Sequence, residues 1–246
     1  MEQTSALIQD FELISSVYPG DCYVVDIVNE QFCHIKSDGL FLCGFSVEEA
    51  LQRGIDFYTR IVYPEDLSIW ANIRKTILLY LRTSDEKRDE IDYFSCTFRL
   101  QRKYSFTPHP LTQMIYLRTK PVRIDNDLHY LICTLESSTI RTSGNLLMHS
   151  KDGSSYTEYN FQTRRWKQKE KVSLTERESA ILILAGQGKS SKEIANLLCK
   201  GENTVRNQMK ALYAKLGVHS MQEAIEFVNN FRLIYLKSDA KIVDVH

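Results

Sequence analysis

Three times between Ser173 and Ile234 a hydroxyl residue is followed three places later by glutamate: Thr175-Glu-Arg-Glu178, Ser190-Ser-Lys-Glu193 and Ser220-Met-Gln-Glu223. Each is a capping box, in which the hydroxyl and the carboxylate satisfy orphan backbone donors of a first helical turn. Stops alternate with these starts. Gly186-Gln187-Gly188 follows the first, Lys200-Gly201 separates the second helix from the third, and Gly217 closes the third, since glycine tolerates the left-handed conformation at a helix end. The spacing predicts four short helices over 176–186, 191–199, 202–216 and 221–233. Their connections are as short as helix-turn-helix geometry requires.

On a wheel of about 100° per residue, Val205, Met209, Leu212 and Leu216 of the third helix share one narrow arc, the spacing of a buried stripe. Asn203, Arg206, Asn207 and Lys210 lie nearly opposite, in an arc without an acid. Arginine, lysine and asparagine are the side chains that reach guanine, phosphate and adenine in a major groove. The helix before it would cross the DNA backbone and offer its first amides and Lys192 to phosphate. Charge agrees with this. Residues 1–138 carry 14 Lys+Arg against 20 Asp+Glu, and residues 139–246 carry 17 against 11, so the basic half is the one suited to a polyanion. In the fourth helix, Ala224, Ile225, Val228 and Phe231 form a further apolar stripe. It packs either on its own domain or on a two-fold partner.

Leu174-Thr-Glu-Arg-Glu178, Gly188-Lys-Ser-Ser-Lys-Glu-Ile-Ala195, Thr204-Val-Arg206, Lys215-Leu-Gly-Val218 and Gln222-Glu-Ala-Ile225 together resemble the LuxR-type helix-turn-helix domain of bacterial transcription regulators. The resemblance implies a four-helix DNA-binding domain whose third helix reads the major groove and whose fourth pairs two subunits. By position, Arg206, Asn207 and Lys210 would contact bases or phosphate, with Asn203 beside them and Thr204 and Lys192 towards the backbone; Ala224, Ile225 and Val228 would face a partner. The sequence departs from the family pattern at Lys200-Gly201, where an aliphatic residue and a Ser or Thr are usual, and at Gln208, where the family often has His.

Residues 22–136 read as mixed α+β. Strands are predicted at 22–28, 31–36, 91–101, 112–121 and 128–136, with turns at Asn29-Glu30 and Asp125-Asn126-Asp127. Ile91 to Gln101 alternates cleanly, with Phe94, Cys96, Phe98 and Leu100 on one face. Those side chains either pack the core or line a cavity. Ser46-Val-Glu-Glu49 opens one helix with a capping box. Asp66 is expected to cap a longer one whose Trp70, Ile73, Ile77 and Leu81 form a stripe. This order, with Gly44-Phe-Ser-Val-Glu-Glu49 and Tyr63-Pro-Glu-Asp66, resembles a PAS domain, which implies a five-stranded antiparallel sheet with flanking helices that senses a signal or mediates dimerisation. Helix 67–81 holds no histidine for a haem, and Cys43 lies outside the flavin photosensor pattern. His34 reads as a polar-face residue. No cofactor is assigned.

The expected organisation is therefore a PAS-like sensor at 1–137, a linker with a β-hairpin at 138–172, a LuxR-type domain at 173–236 and a tail at 237–246. In the linker, Lys151-Asp152-Gly153 carries the Asp-Gly hairpin signal, and Tyr159, Phe161 and Trp166 would pack it on a domain. The basic run Arg164 to Lys169 either touches phosphate or is a solvated connector. None of the six cysteines falls in a C-x-x-C pair, and the reading is of free thiols in a reducing compartment. No G-x-S-x-G, H-E-x-x-H, G-x-x-x-x-G-K or G-x-G-x-x-G occurs, which argues against an enzyme. The expected partners are double-stranded DNA, a second copy of the chain and an unidentified small molecule at the PAS-like domain, with no membrane partner and a cytoplasmic location. The alternative is an interaction or dimerisation module without sequence-specific DNA readout.

Overall fold

The computed structural model describes residues 2–83, 90–103, 111–125, 127–151, 155–170, 172–231 and 235–236. It divides into two compact units, Met1–Lys169 and Glu170–His246. The first is built on strands β1 (Asp21–Asp26), β2 (Gln31–Lys36), β3 (Ile91–Gln101), β4 (Thr112–Ile124), β5 (Asp127–Ser137), β6 (Gly144–Ser150), β7 (Ser155–Asn160) and β8 (Arg165–Glu170). Helix α1 (Glu2–Val17) precedes them. Helices α2 (Val47–Arg53), α3 (Tyr58–Ile61) and α4 (Leu67–Thr83) lie between β2 and β3.

All eight strands form one sheet in the order β2-β1-β5-β4-β3-β6-β7-β8, so the expected count of five is corrected to eight. The segment expected as a linker supplies the extra three. β6 pairs with β3 in the antiparallel sense, Phe94 opposite Met148 and Tyr93 opposite His149, and β7 then pairs with β6. Tyr159, Phe161 and Trp166 pack on the same core as β3, Trp166 meeting Tyr80 of α4 with ring centroids 5.4 Å apart. The Asp152-Gly153 turn and Asn126 lie outside the described residues, as does the tail 237–246.

The inner face of the sheet does what the alternation of β3 predicts: Phe94, Cys96, Phe98 and Leu100 are all at most 1% exposed. Ile73, Ile77 and Leu81 of α4 close over this face, and Trp70 stacks on Tyr58 at 4.7 Å. Stacked and edge-on rings add stabilisation beyond the area they bury. The outer face is covered by α1, whose Leu7, Ile8 and Phe11 pack on Cys22, Val24 and Tyr130.

Ser46 and Glu49 form the expected capping box at α2. Asp66 does not cap α4. It closes a short 3-10 turn, Pro64–Asp66, and its buried carboxylate accepts hydrogen bonds from the Arg99 backbone N–H (2.8 Å), Arg99 Nε (3.1 Å), Arg99 Nη2 (2.6 Å) and Ser143 Oγ (2.5 Å). A buried carboxylate needs a charged partner more than a helix needs a cap, and Arg99 on β3 supplies it. Burial pushes this carboxyl up, but the bonds from Arg99 and Ser143 outweigh it and hold the group below its ordinary range.

The second unit carries α5 (Glu176–Gly186), α6 (Ser191–Leu197), α7 (Glu202–Leu216) and α8 (Met221–Phe231), with a parallel pair of two-residue strands, β9 (Ser173–Leu174) and β10 (Tyr235–Leu236). The boxes at Thr175/Glu178 and Ser190/Glu193 are both complete. At α8 the Ser220 hydroxyl accepts from the Glu223 N–H, while the Glu223 carboxylate accepts from His219 N–H. Glu178 also receives Lys215 Nζ at 2.8 Å, tying the start of α5 to the last turn of α7. Thr175→Ala removes the cap at this junction. The expected loss is about 1 kcal/mol, measured by native-state hydrogen exchange of the α5 amides in the full chain.

Candidate nucleic-acid interface

Two hydrophobic contacts fix α7 against the rest of its unit. Val205, at 0% exposure, packs with Ile181, Ile194 and Ala195, and Leu212 and Leu216 pack with Leu174, Leu182 and Ala224. Because Val205 and Leu212 are seven residues apart, two turns of the helix are held by one stripe. The opposite side must then face outward. Asn203, Thr204, Arg206, Asn207 and Lys210 are all exposed there, so the structure brings these five expected contact residues onto one helix surface.

The turn that presents this surface is built differently from the sequence expectation. Cys199, not a glycine, takes the left-handed conformation, with φ 51°, and Lys200 N–H closes the end of α6 on Ala195 O at 2.9 Å. Gly201 stands in extended conformation as the N-cap of α7 and offers no side-chain cap. Lys192, exposed in the first turn of α6, completes the expected set. Gln208 is half-buried, and its Oε1 has no hydrogen-bond partner among the described residues.

Sequence reasoning missed Glu202. It lies about 40° from Arg206 on the wheel, outside the arc read as acid-free, yet its Oε1 accepts from Arg206 Nη2 at 2.7 Å and from Ser191 Oγ at 3.2 Å. The signal was present in the spacing: side chains at i and i+4 touch on a helix surface, and each leans towards the N-terminus. The outward face of α7 therefore carries one carboxylate at its N-terminal end.

The fourth helix sends Ala224 into the interior. It is fully buried with Leu174, Leu182, Leu212 and Leu216, and Ile225 and Val228 are half-buried against the same cluster. Packing on its own unit accounts for Ala224; the side chain of Phe231 lies outside the described residues.

Within the first unit a cavity of about 50 Å³ lies between α4 and the inner sheet face, lined among others by Val25, Tyr58, Trp70, Ile77, Thr119 and Cys133. A cavity needs roughly 10–15 Å³ of such space per water, so this one suits a few atoms. Its walls are largely apolar, with the thiol of Cys133 and the hydroxyl of Thr119 3.7 Å apart and with Arg74, ion-paired to Glu30 at 2.5 Å, as the charged residue of the lining. Burial pushes the Cys133 thiol up to about 12, so it stays protonated. Among the described residues no group of three or more His, Cys, Asp and Glu could hold a metal ion, and no helix is long and apolar enough to cross a membrane.

Residues 172–228 match the family "Bacterial regulatory proteins, luxR family", and the match begins at the foot of α5 and ends within α8. The C-terminal unit is a LuxR-type helix-turn-helix domain. The chain is also similar to the transcriptional regulatory protein YdfI of Bacillus subtilis, 35% identical over 82 residues, which are 33% of this chain and 38% of YdfI. The chain thus spans well under half the length of that relative. Two solved structures align along most of the chain at low TM-score. The Vibrio cholerae VqmA dimer, described as a LuxR-type receptor, gives 17% identity over 92% of this chain and 88% of VqmA, with a TM-score of 0.35. A phage VqmA complex with DPO gives 13% over 98% and 95%, with a TM-score of 0.34. Superpositions at that level carry no weight for the first unit. In the LuxR-type domain the family relationship and the geometry meet on α7.

Proposed function

We propose that the chain is a sequence-specific DNA-binding transcription regulator acting as a homodimer. The observation that carries this reading is the outward face of α7, where Asn203, Thr204, Arg206, Asn207 and Lys210 stand exposed on a helix fixed from behind by Val205, Leu212 and Leu216. An α-helix fits the major groove, and in helix-turn-helix docking the first turns of the second helix meet base edges while the first helix crosses the backbone. Arg206 and Asn207 sit in those turns. Lys192 on α6 and Lys210 further along α7 suit phosphate. The match of 82 residues to a transcriptional regulatory protein, YdfI, points the same way.

Within the first unit, residues 1–137 are proposed as a PAS-like sensor on the order of their strands and helices, with a small, largely uncharged molecule as the signal. A charged ligand would be costly in a cavity whose described walls are mostly aliphatic and aromatic and whose charged lining residue, Arg74, is already paired with Glu30. Two copies are proposed because a two-fold dimer reads two half-sites about one turn, ~10 bp, apart. The exposed parts of Ile225 and Val228 are the proposed contact on α8.

Selection of duplexes from a random-sequence pool by the full chain tests the proposal. Enrichment of a two-fold-symmetric site is the expected result, with binding that weakens steeply as salt rises, because each neutralised phosphate releases counterions. Binding that stays sequence-blind at every salt concentration supports the dimerisation-module alternative instead.

A further inference from the structure

The face of α7 pairs a cation with an anion in a fixed order. Glu202 is the first residue of the helix and Arg206 lies one turn on, about 6 Å along the axis at 1.5 Å per residue. Glu202 Oε1 is shared between Ser191 Oγ and Arg206 Nη2. Its second carboxylate oxygen, Oε2, has no hydrogen bond among the described residues. Ser191 anchors the carboxylate to the start of α6, so Glu202 is held from behind by one helix while it holds Arg206 on the other. Arginine has five N–H donors, and the bond to Glu202 leaves the others for a base.

A carboxylate beside a polyanion is repelled unless it finds a donor. In the major groove the donor suited to a carboxylate is the N4 amino group of cytosine, as guanine O6 and N7 are the acceptors suited to arginine. Base pairs are stacked about 3.4 Å apart, so residues one turn apart reach neighbouring or next-neighbouring pairs. We infer that Glu202 is a specificity-determining residue, with Oε2 accepting from a cytosine within two base pairs of the guanine read by Arg206, and with Oε1 setting the direction of that arginine. The inference rests on the DNA-binding reading given above and names the base step that the reading selects.

The test is the same random-duplex selection with the full chain, run for wild type, E202A and E202Q, together with binding to a mixed-sequence duplex. Wild type is expected to enrich a cytosine next to or one pair removed from a guanine in each half-site. E202A is expected to lose preference for that cytosine by about tenfold while keeping the guanine. Its affinity for mixed-sequence duplex is expected to hold or rise, because a negative charge has left the phosphate side. A residue that only braces the helix start would move both affinities down together. E202Q retains the hydrogen-bonding shape towards Ser191 and Arg206, and supplies the comparison should E202A fold poorly. Unchanged preference at every position in the folded variant, or a parallel fall in specific and non-specific binding, overturns the role of Glu202. A wild-type chain that enriches no site overturns the DNA-binding reading and this inference with it.

Discussion

The chain carrying Arg206→Ala and Lys210→Ala is expected to bind its selected duplex about 100-fold more weakly than wild type, or weaker still, with its fold intact. The magnitude follows from two distinct losses. A bidentate arginine–guanine contact is worth about 1–3 kcal/mol of discrimination, and removing a phosphate-bound lysine weakens all sequences alike while lowering the salt slope by about one. The fold is expected to survive because both side chains are exposed, and among the described residues Arg206 makes only the surface pair with Glu202. Exposed i,i+4 pairs contribute about 0.3–0.5 kcal/mol. Binding isotherms for selected and mixed duplexes across salt, with a thermal melt of the variant, separate the two losses. A double variant that binds the selected duplex like wild type removes α7 as the reading helix.

The largest stability effect is expected in the first unit, at Asp66→Ala. One buried carboxylate answers three donors of Arg99 and the hydroxyl of Ser143, joining the turn before α4 to β3 and to the segment leading into β6. Removing one partner of a buried ion pair costs about 3–5 kcal/mol. Arg99 keeps part of its exposure and a second acid, Glu65, at 3.1 Å, which places the expected loss near the lower end, about 3 kcal/mol. The same contact sets a pH dependence. The folded Asp66 carboxyl sits lower than in the unfolded chain, where aspartate titrates near ~3.9. Its contribution is therefore complete above the unfolded value and disappears as pH falls from there through the folded value. Urea unfolding followed by the near-ultraviolet signal of Trp70 and Trp166 reads the first unit. The gap between wild type and Asp66→Ala should be constant from pH 7 to about 5 and narrow below about 4. A gap independent of pH down to acid would mean that Asp66 acts only by filling space.

The second unit was the more legible part of the chain because its signals are local. A capping box uses residues three apart, and a helix stripe repeats within one element, so Thr175/Glu178, Ser190/Glu193 and the Val205–Leu216 stripe needed no knowledge of neighbours. The first unit shows where that ends. The five strands from Asp21 to Ser137 declare themselves by alternation, since their inner residues meet the core. β7 and β8 read Ser-Tyr-Thr-Glu-Tyr-Asn and Arg-Trp-Lys-Gln-Lys-Glu. A hairpin carrying Tyr159, Phe161 and Trp166 was legible here, but strands so rich in polar and charged residues at and next to a sheet edge do not show that they extend the main sheet through β6 and β3. α1 has no counterpart among the predicted elements, although Leu7, Ile8 and Phe11 fall at helical spacing and are the side chains that cover the sheet.

Asp66 and Glu202 share a cause. Asp66 was read as a cap of its own helix, and Glu202 was not read at all. Their actual partners come from elsewhere, Arg99 from a strand 33 positions on and Ser191 from the preceding helix. A carboxylate goes to the strongest donors within reach, and which donors those are depends on tertiary packing. The exposed face of α7 was legible for the converse reason: among the described residues its side chains have no partner apart from the Glu202–Arg206 pair.

The central claim is that α7 reads base edges in the major groove, and methylation interference at guanine N7 tests it most directly. N7 lies on the major-groove edge of guanine and accepts from arginine, so a methyl group there blocks the contact without disturbing the minor groove. Methylation of one guanine in each half-site is expected to abolish binding of the full chain. The two sensitive guanines should lie about one helical turn, ~10 bp, or a multiple of it apart, and the sensitivity should vanish in Arg206→Ala. Binding indifferent to N7 methylation, or interference confined to adenine N3 in the minor groove, would contradict it.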